Sequence, residues 1–240
     1  ILMDNMSHEF RTPLTSIIGY AEILEVETDA HLREFAAFIL KGGRRLLRTL
    51  TALIEYARIE SEPPEEGGLL LALNRETERV TEHYRAQAAQ RGLRLALHLP
   101  TTPAWVLGDS GALQFVLATL LDNAVKFTEA GAIEVSVEAE GPDAVLRVRD
   151  TGLGIGQAFL PRLFEPFQQE STGISRAYEG NGLSLAIAHR YVQLMHGKIT
   201  VESSPGVGCT FTVRWPRASW PKGMTPIDTA AAQPSRLRTN

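Results

Sequence analysis

His8 lies beside Glu9 in the run Ser7-His8-Glu9-Phe10-Arg11-Thr12-Pro13-Leu14-Thr15. Around it Met3, Met6, Phe10, Leu14, Ile17, Ile18, Ala21 and Leu24 recur at helical spacing, and His8 falls outside that stripe. Its imidazole should therefore face solvent or a partner. Thr12 lies one turn further on, on roughly the same face. Pro13 has no N–H, so the Glu9 carbonyl loses its helical partner and the helix should bend just past the histidine. An exposed imidazole beside a carboxylate and a helix defect is an unusual arrangement for a surface turn. On its own, the stretch also fits an ordinary solvated helix face.

Four segments further along fit a nucleotide site when taken together. Asp122, Asn123 and Lys126 fall within about one turn of a strongly helical stretch. An Asn amide oxygen suits a hard cation, and a lysine reaches phosphate oxygens. Asp150-Thr151-Gly152-Leu153-Gly154-Ile155-Gly156 directly follows a strand. A carboxylate at a strand end can accept from an adenine amino group, while the glycines let the backbone approach a ligand closely. Phe164-Glu165-Pro166-Phe167 gives the loop beyond two apolar anchors. Gly180-Asn181-Gly182 opens a helix whose free N–H groups and dipole favour phosphate. None of these is specific alone. Gly152-Leu153-Gly154 does not open a helix in a parallel β-α-β unit, and Gly-Lys-Ser/Thr is absent, so a dinucleotide-binding fold and a P-loop are both disfavoured.

The elements that have to position these residues divide the chain. Residues 1–60 read as a helical hairpin, its first helix ending near Glu27 and its second marked by Leu32, Phe35, Phe38, Ile39, Leu46, Leu50, Leu53, Ile54 and Ala57. Gly42-Gly43 should interrupt that second helix. The apolar seam is too wide for one hairpin to close. Two copies packed as a four-helix bundle would bury it, so a homodimer is expected, the alternative being a hairpin that folds back on the rest of its own chain. Arg44, Arg45 and Arg48 read most simply as a solvated face, with a docking surface as the alternative. Residues 61–68 (SEPPEEGG) read as a linker. Residues 69–217 are mixed α/β. Strands are expected at 69–73, 93–99, 105–107, 133–139, 144–149, 198–203 and 209–215, and helices at 75–91, 112–127 and 181–196. A long loop should fill 151–179, a length that is usually functional. Residues 218–240 lack periodicity and read as a disordered tail.

Composition narrows the class. The 240 residues are 44% hydrophobic and 22% charged, as in soluble globular proteins. A net charge of −4 disfavours a nucleic-acid surface. The single cysteine, Cys209, excludes an intramolecular disulfide and a cysteine-rich zinc site. No apolar run approaches ~18 residues, so membrane contact by this chain is not expected. The start, Ile1-Leu2-Met3-Asp4, shows neither helix cap nor signal peptide, so the chain reads as a fragment of something longer.

In order and spacing these motifs resemble the sensor histidine kinases of two-component systems. SHEFRTPLTSI looks like the phosphoacceptor H-box, LLDNAVKFT like the N-box, DTGLGIG like the G1 box, FEPFQQ like the F-box and EGNGLSLAI like the G2 box. The match runs from about residue 3 to 215. The resemblance implies a dimerisation and phosphotransfer hairpin followed by an α/β two-layer sandwich of the Bergerat ATPase type, using ATP and Mg²⁺. It implies that His8 takes the γ-phosphate on Nε2, that Glu9 holds the proton of the other ring nitrogen, and that Thr12 helps place water for dephosphorylation of a partner regulator. Asn123 would hold Mg²⁺, Lys126 the phosphates and Asp150 the adenine, with Phe127 against the base and Arg176 toward the γ-phosphate. Gly152, Gly154, Gly180 and Gly182 would line the nucleotide. The implied partner is the receiver domain of a response regulator.

Two positions depart from the family pattern. Thr119 stands where a second Asn is common, and a hydroxyl is a poorer metal ligand than an amide. Ser184 replaces the third glycine of the G2 box. It would weaken ATP binding if that position needs φ > 0 or close backbone approach, and is harmless in an ordinary first helical turn. Reduced but real ATP binding is expected. The rival reading is a non-catalytic phosphorelay or scaffold module with a degenerate ATP site. A zinc hydrolase built on His8-Glu9 would need a second histidine where Thr12 stands.

Overall fold

The computed structural model describes residues 14–15, 17–24, 26, 30–61, 68–170 and 182–219. Helix α1 is described over residues 14–15 and 17–24, and α2 spans Ala30–Ser61 without a break. Gly42-Gly43 does not interrupt α2, contrary to the sequence expectation. Gly43 lies against α1, where a Cβ would sit 3.0 Å from Ile18 Cγ1, so the missing side chain brings the two helices together. Leu14, Ala21, Ala36 and Leu40 are buried in the hairpin, while Phe35 and Phe38 are 65% and 66% exposed.

The second unit follows the alternation in its sequence. Strands β1 (Leu69–Ala72) and β3 (Trp105–Gly108) pair antiparallel as a small sheet. The main sheet holds β2 (Arg94–His98), β4 (Ala132–Glu140), β5 (Asp143–Asp150), β6 (Lys198–Ser204) and β7 (Gly208–Pro216) in the order β2-β4-β5-β7-β6. Only the β2–β4 pair is parallel. Ile133, Val135 and Val137 of β4, Ala144, Leu146 and Val148 of β5, and Phe211, Val213 and Trp215 of β7 are buried on one face. Against that face lie α3 (Leu73–Gln90), α4 (Ser110–Phe127) and α5 (Ser184–Leu194), giving the expected two layers. The opposite face is polar: Arg147 pairs with Glu138 at 3.1 Å and with Glu140, and Arg214 pairs with Glu140 at 2.6 Å. Hydrogen bonds from Arg147 and then Arg214 hold the Glu140 carboxyl below its usual range.

Helix α4 carries the centre of the core. Leu113, Val116, Leu117, Leu120, Leu121 and Val125 are fully buried at helical spacing. Each such side chain contributes about 1.5–3 kcal/mol relative to exposure. Asp109 caps its amino end, accepting from the Ala112 N–H at 2.8 Å. At the other end Arg91 donates to the Val125 carbonyl at 2.5 Å. The functional residues of α4 are thus on a helix fixed at both ends.

Candidate functional site

Asp150 ends β5 and stands directly opposite Cys209 in the β5–β7 register. It is 7% exposed, and burial pushes its carboxyl above the ordinary value, an effect opposed by the backbone N–H groups of Gly152 and Cys209. The Gly152 N–H donates to Asp150 Oδ1 at 2.8 Å. The loop after it is tied to three neighbours. Leu153 N–H donates to the Phe127 carbonyl at 3.1 Å, Gly206 N–H to the Leu153 carbonyl at 2.8 Å, and Ile155 N–H to Ser203 Oγ at 2.8 Å. A Cβ on Gly152 would lie 2.3 Å from the Phe127 carbonyl oxygen, and one on Gly154, at φ +68°, 2.1 Å from that of Ser204. Close backbone approach therefore requires both glycines.

Cys209 was not anticipated at this site. It is buried and lines the same cavity, and burial together with the Asp150 charge pushes its thiol up to about 12. It serves as a small apolar wall rather than a nucleophile. Only its pairing with Asp150 reveals the position, and that pairing depends on strand register.

Asp150, Gly154, Phe127, Lys126, Asn123 and Thr119 line one cavity of about 920 Å³, within the range of nucleotide-sized pockets. Asn123, Lys126 and Phe127 are half-buried, Asp122 beside them is exposed, and Lys126 Nζ stands 4.9 Å from the centre of the Phe127 ring. The amide oxygen of Asn123 and the carboxylate of Asp122 are hard donors, a set that fits a divalent cation whose remaining ligands are phosphate and water. Thr119 is buried in the same wall.

Gly182, Ser184 and Leu185 close another side. Gly182 has φ +68°, and a Cβ there would lie 2.7 Å from the Gln168 carbonyl oxygen. Ser184 is the first residue of α5, exposed, with an ordinary negative φ. Leu183, at the N-cap position, offers that helix end no side-chain cap. The expectation of two apolar anchors in the preceding loop holds for one. Phe164 stacks on His189 with ring centres 4.9 Å apart, whereas Phe167 is 59% exposed and has φ +63°. His8, Glu9, Thr12, Arg176 and Gly180 lie outside the described residues.

The remaining wall comes from the hairpin. Arg45, Arg48, Thr49, Ala52 and Glu55 of α2 line the cavity. Beyond them Ile59 is 2% exposed and belongs to the core of the α/β unit, with Ala52 and Tyr56 packed beside it. Tyr191 Oη donates to Glu55 Oε1, and Arg190 pairs with Glu60 at 2.9 Å. Burial first, then the Glu55 bond, pushes the Tyr191 hydroxyl up to about 12. Two of the three arginines assigned to a solvated face thus look into the site, while Arg44 pairs with Glu22 at 2.7 Å.

Comparison with known proteins gives this geometry a family. Residues 2–62 match the His Kinase A (phospho-acceptor) domain, and residues 108–219 match the histidine kinase-, DNA gyrase B- and HSP90-like ATPase. The chain is 36% identical over 222 residues to sensor histidine kinase RcsC of Escherichia coli strain K12, covering 90% of this chain and 23% of that protein. It is 39% identical over 215 residues to sensor histidine kinase AruS of Pseudomonas aeruginosa, covering 86% and 21% respectively. The crystal structure of full-length ShkA in complex with AMPPNP superposes with a TM-score of 0.75 at 29% identity, over 91% of this chain and 46% of that one. The chain thus spans about a quarter of the length of the curated relatives it matches. Among the described residues no helix is long and apolar enough to cross a membrane. With a phospho-acceptor domain joined to an ATPase domain, the chain belongs to the sensor histidine kinases of two-component systems, a family of protein-histidine kinases.

Proposed function

We propose that this chain is a kinase core that moves the γ-phosphoryl group of ATP to Nε2 of His8 and then to an aspartate of a response-regulator receiver domain. The observation that carries the reading is one cavity lined by a buried carboxylate, Asp150, together with Asn123 and Lys126. In this reading Asp150 accepts from the adenine amino group and Phe127 packs on the base. Gly152, Gly154, Gly180 and Gly182 let the backbone approach the nucleotide. Lys126 neutralises phosphate charge, and Arg176 meets the γ-phosphate. Phosphoryl transfer needs little covalent help from the protein; positioning and charge neutralisation are the main requirements. A bound Mg²⁺, held by Asn123 and phosphate oxygens, would supply further charge neutralisation. Glu9 keeps the proton on the other ring nitrogen of His8, so that Nε2 presents its lone pair to phosphorus. Thr12 places water for dephosphorylation of the regulator.

The exposed apolar face of α2, including Phe35, Phe38 and Leu46, supports a second copy of the hairpin as its cover. Ser184 no longer argues for a degenerate site, because its backbone is that of an ordinary helix.

Incubation with γ-labelled ATP and Mg²⁺ tests the reading. Acid-labile label should appear on the unsubstituted chain and vanish in His8→Gln. No label at millimolar ATP would overturn the kinase reading for this chain. Label surviving His8→Gln would overturn only the assignment of the acceptor.

A further inference from the structure

Helix α2 changes character along a single face. Arg45, Arg48, Thr49, Ala52 and Glu55 recur at i, i+3, i+4, i+7 and i+10, and all line the nucleotide cavity. Toward the carboxy end that face is an apolar contact, with Ala52, Tyr56 and Ile59 packed on the α/β core. Toward the amino end it becomes cationic, with Arg45 and Arg48.

The helix is held in place. Tyr191 bonds to Glu55 and Arg190 pairs with Glu60, and the Tyr191 ring meets Phe115 of α4 edge-on with centres 5.6 Å apart. From this fixed end α2 reaches back from Glu55 to Arg45, about 15 Å at 1.5 Å per residue. Helix α4 lines the same cavity from Phe115 to Lys126, about 16 Å on the same rise. Arg45 and Arg48 thus share one cavity with Asn123 and Lys126. Arg48 uses one N–H on the Arg44 carbonyl at 3.3 Å and keeps a guanidinium whose planar fork suits phosphate oxygens.

We infer that Arg48, with Arg45 one turn away, is a positioning residue for the phosphate chain of a nucleoside triphosphate, supplied to the cleft by the phospho-acceptor hairpin of the same chain. The nucleotide site is therefore bipartite: the α/β unit holds the base and one side of the phosphates, and the hairpin holds the other side. This rests on the ATP reading above.

The test is nucleotide affinity of the full 240-residue chain. Arg48→Gln, Arg45→Gln/Arg48→Gln and Arg48→Lys are titrated with AMPPNP, ADP and AMP in the presence of Mg²⁺. Loss should grow with phosphate number: about tenfold for AMPPNP in the double variant, about threefold for ADP and none for AMP. Arg48→Lys should recover part of it. An equal loss for all three nucleotides would mean that the arginines only dock the hairpin, and would overturn the assignment. Unchanged AMPPNP affinity would return them to the solvated face and overturn it as well. If the unsubstituted chain bound none of the three, the ATP reading itself would fall, an outcome distinct from either.

Discussion

The residues proposed to meet the base and those proposed to meet the phosphates, called here the base end and the phosphate end of the cavity, are built by different means. At the base end the parts are backbone and strand register. Asp150 is fixed opposite Cys209, and the Gly152–Gly154 turn is tied to Phe127, Ser203 and Gly206. At the phosphate end the parts are half-buried or exposed side chains on helices, namely Asn123 and Lys126 on α4 and Arg45 and Arg48 on α2. A base needs one shape and one hydrogen-bonding edge, which a rigid frame recognises well. A phosphate chain that is shortened during turnover needs charge that can adjust, which long side chains on two different helices can provide. The contrast predicts that single changes at the base end act strongly and on every nucleotide. Changes at the phosphate end should act more weakly and in proportion to charge.

The largest effect is expected at Asp150. Asp150→Asn keeps the size and an acceptor for the Gly152 N–H but cannot offer a carboxylate to the base. Affinity for ATP, ADP and AMP alike should fall about 100-fold, the scale of a buried charged hydrogen bond lost from a site built around it. A loss confined to ATP would break the assignment of this end to the base. The carboxyl also carries a pH signature. Its folded value is raised above 3.8 by burial, so the folded chain holds that proton more tightly than the unfolded chain. Its contribution to stability is full below 3.8 and is lost as pH rises through the raised value. Asparagine does not titrate. Denaturant midpoints measured across that window should therefore move in favour of Asp150→Asn as pH rises, then stay level. A difference that does not change with pH would deny that Asp150 is desolvated.

The same contrast explains what was legible in the sequence. The strands of the main sheet were legible because Ile133, Val135 and Val137, or Phe211, Val213 and Trp215, alternate with polar residues that cannot be buried together. Asp150, Gly152 and Gly154 were legible only beside the other motifs, because a carboxylate and closely spaced glycines at a strand end are not specific alone. Cys209 was not, because its place beside Asp150 exists only once β5 and β7 are in register. Arg45 and Arg48 are exposed as expected, but their place on the cavity wall was not legible for a related reason. An arginine on an amphipathic helix reads as solvated until the surface opposite it is known, and here that surface belongs to another unit. Gly42-Gly43 was misread because helix propensity prices an isolated helix, whereas Gly43 is set against Ile18. Phe167 reads as an apolar anchor by residue type, but its positive φ turns it outward to 59% exposure.

At the phosphate end the expected losses are smaller and graded. Lys126 is half-buried and stands over Phe127, so its charge is partly screened. Lys126→Gln should weaken AMPPNP about tenfold, ADP less and AMP within twofold, as judged by titration under one fixed salt concentration. Combined with Arg48→Gln, the losses should add if the two cations meet different phosphates, and fall short of additive if they share one. A loss as large for AMP as for AMPPNP would erase the distinction between the two ends.

The smallest effect is expected at Ser184, where the sequence alone suggested damage. The third glycine of the motif matters only if its backbone is left-handed or closely approached. Ser184 is the exposed first residue of α5 with a negative φ, while Gly182 two residues earlier has both φ +68° and a Cβ position 2.7 Å from a carbonyl oxygen. The strained position of the motif is thus still a glycine. Ser184→Gly should leave AMPPNP affinity and the rate of His8 labelling within about twofold, and should cost up to about 1 kcal/mol of stability from the added backbone freedom. Gly182→Ala should instead lower AMPPNP affinity severely, since any side chain there meets the Phe167–Gln168 backbone. A large gain of activity in Ser184→Gly would mean that nucleotide binding draws this turn into a conformation only glycine can take, which would move the adjustable part of the site from the α4 and α2 side chains to the amino end of α5.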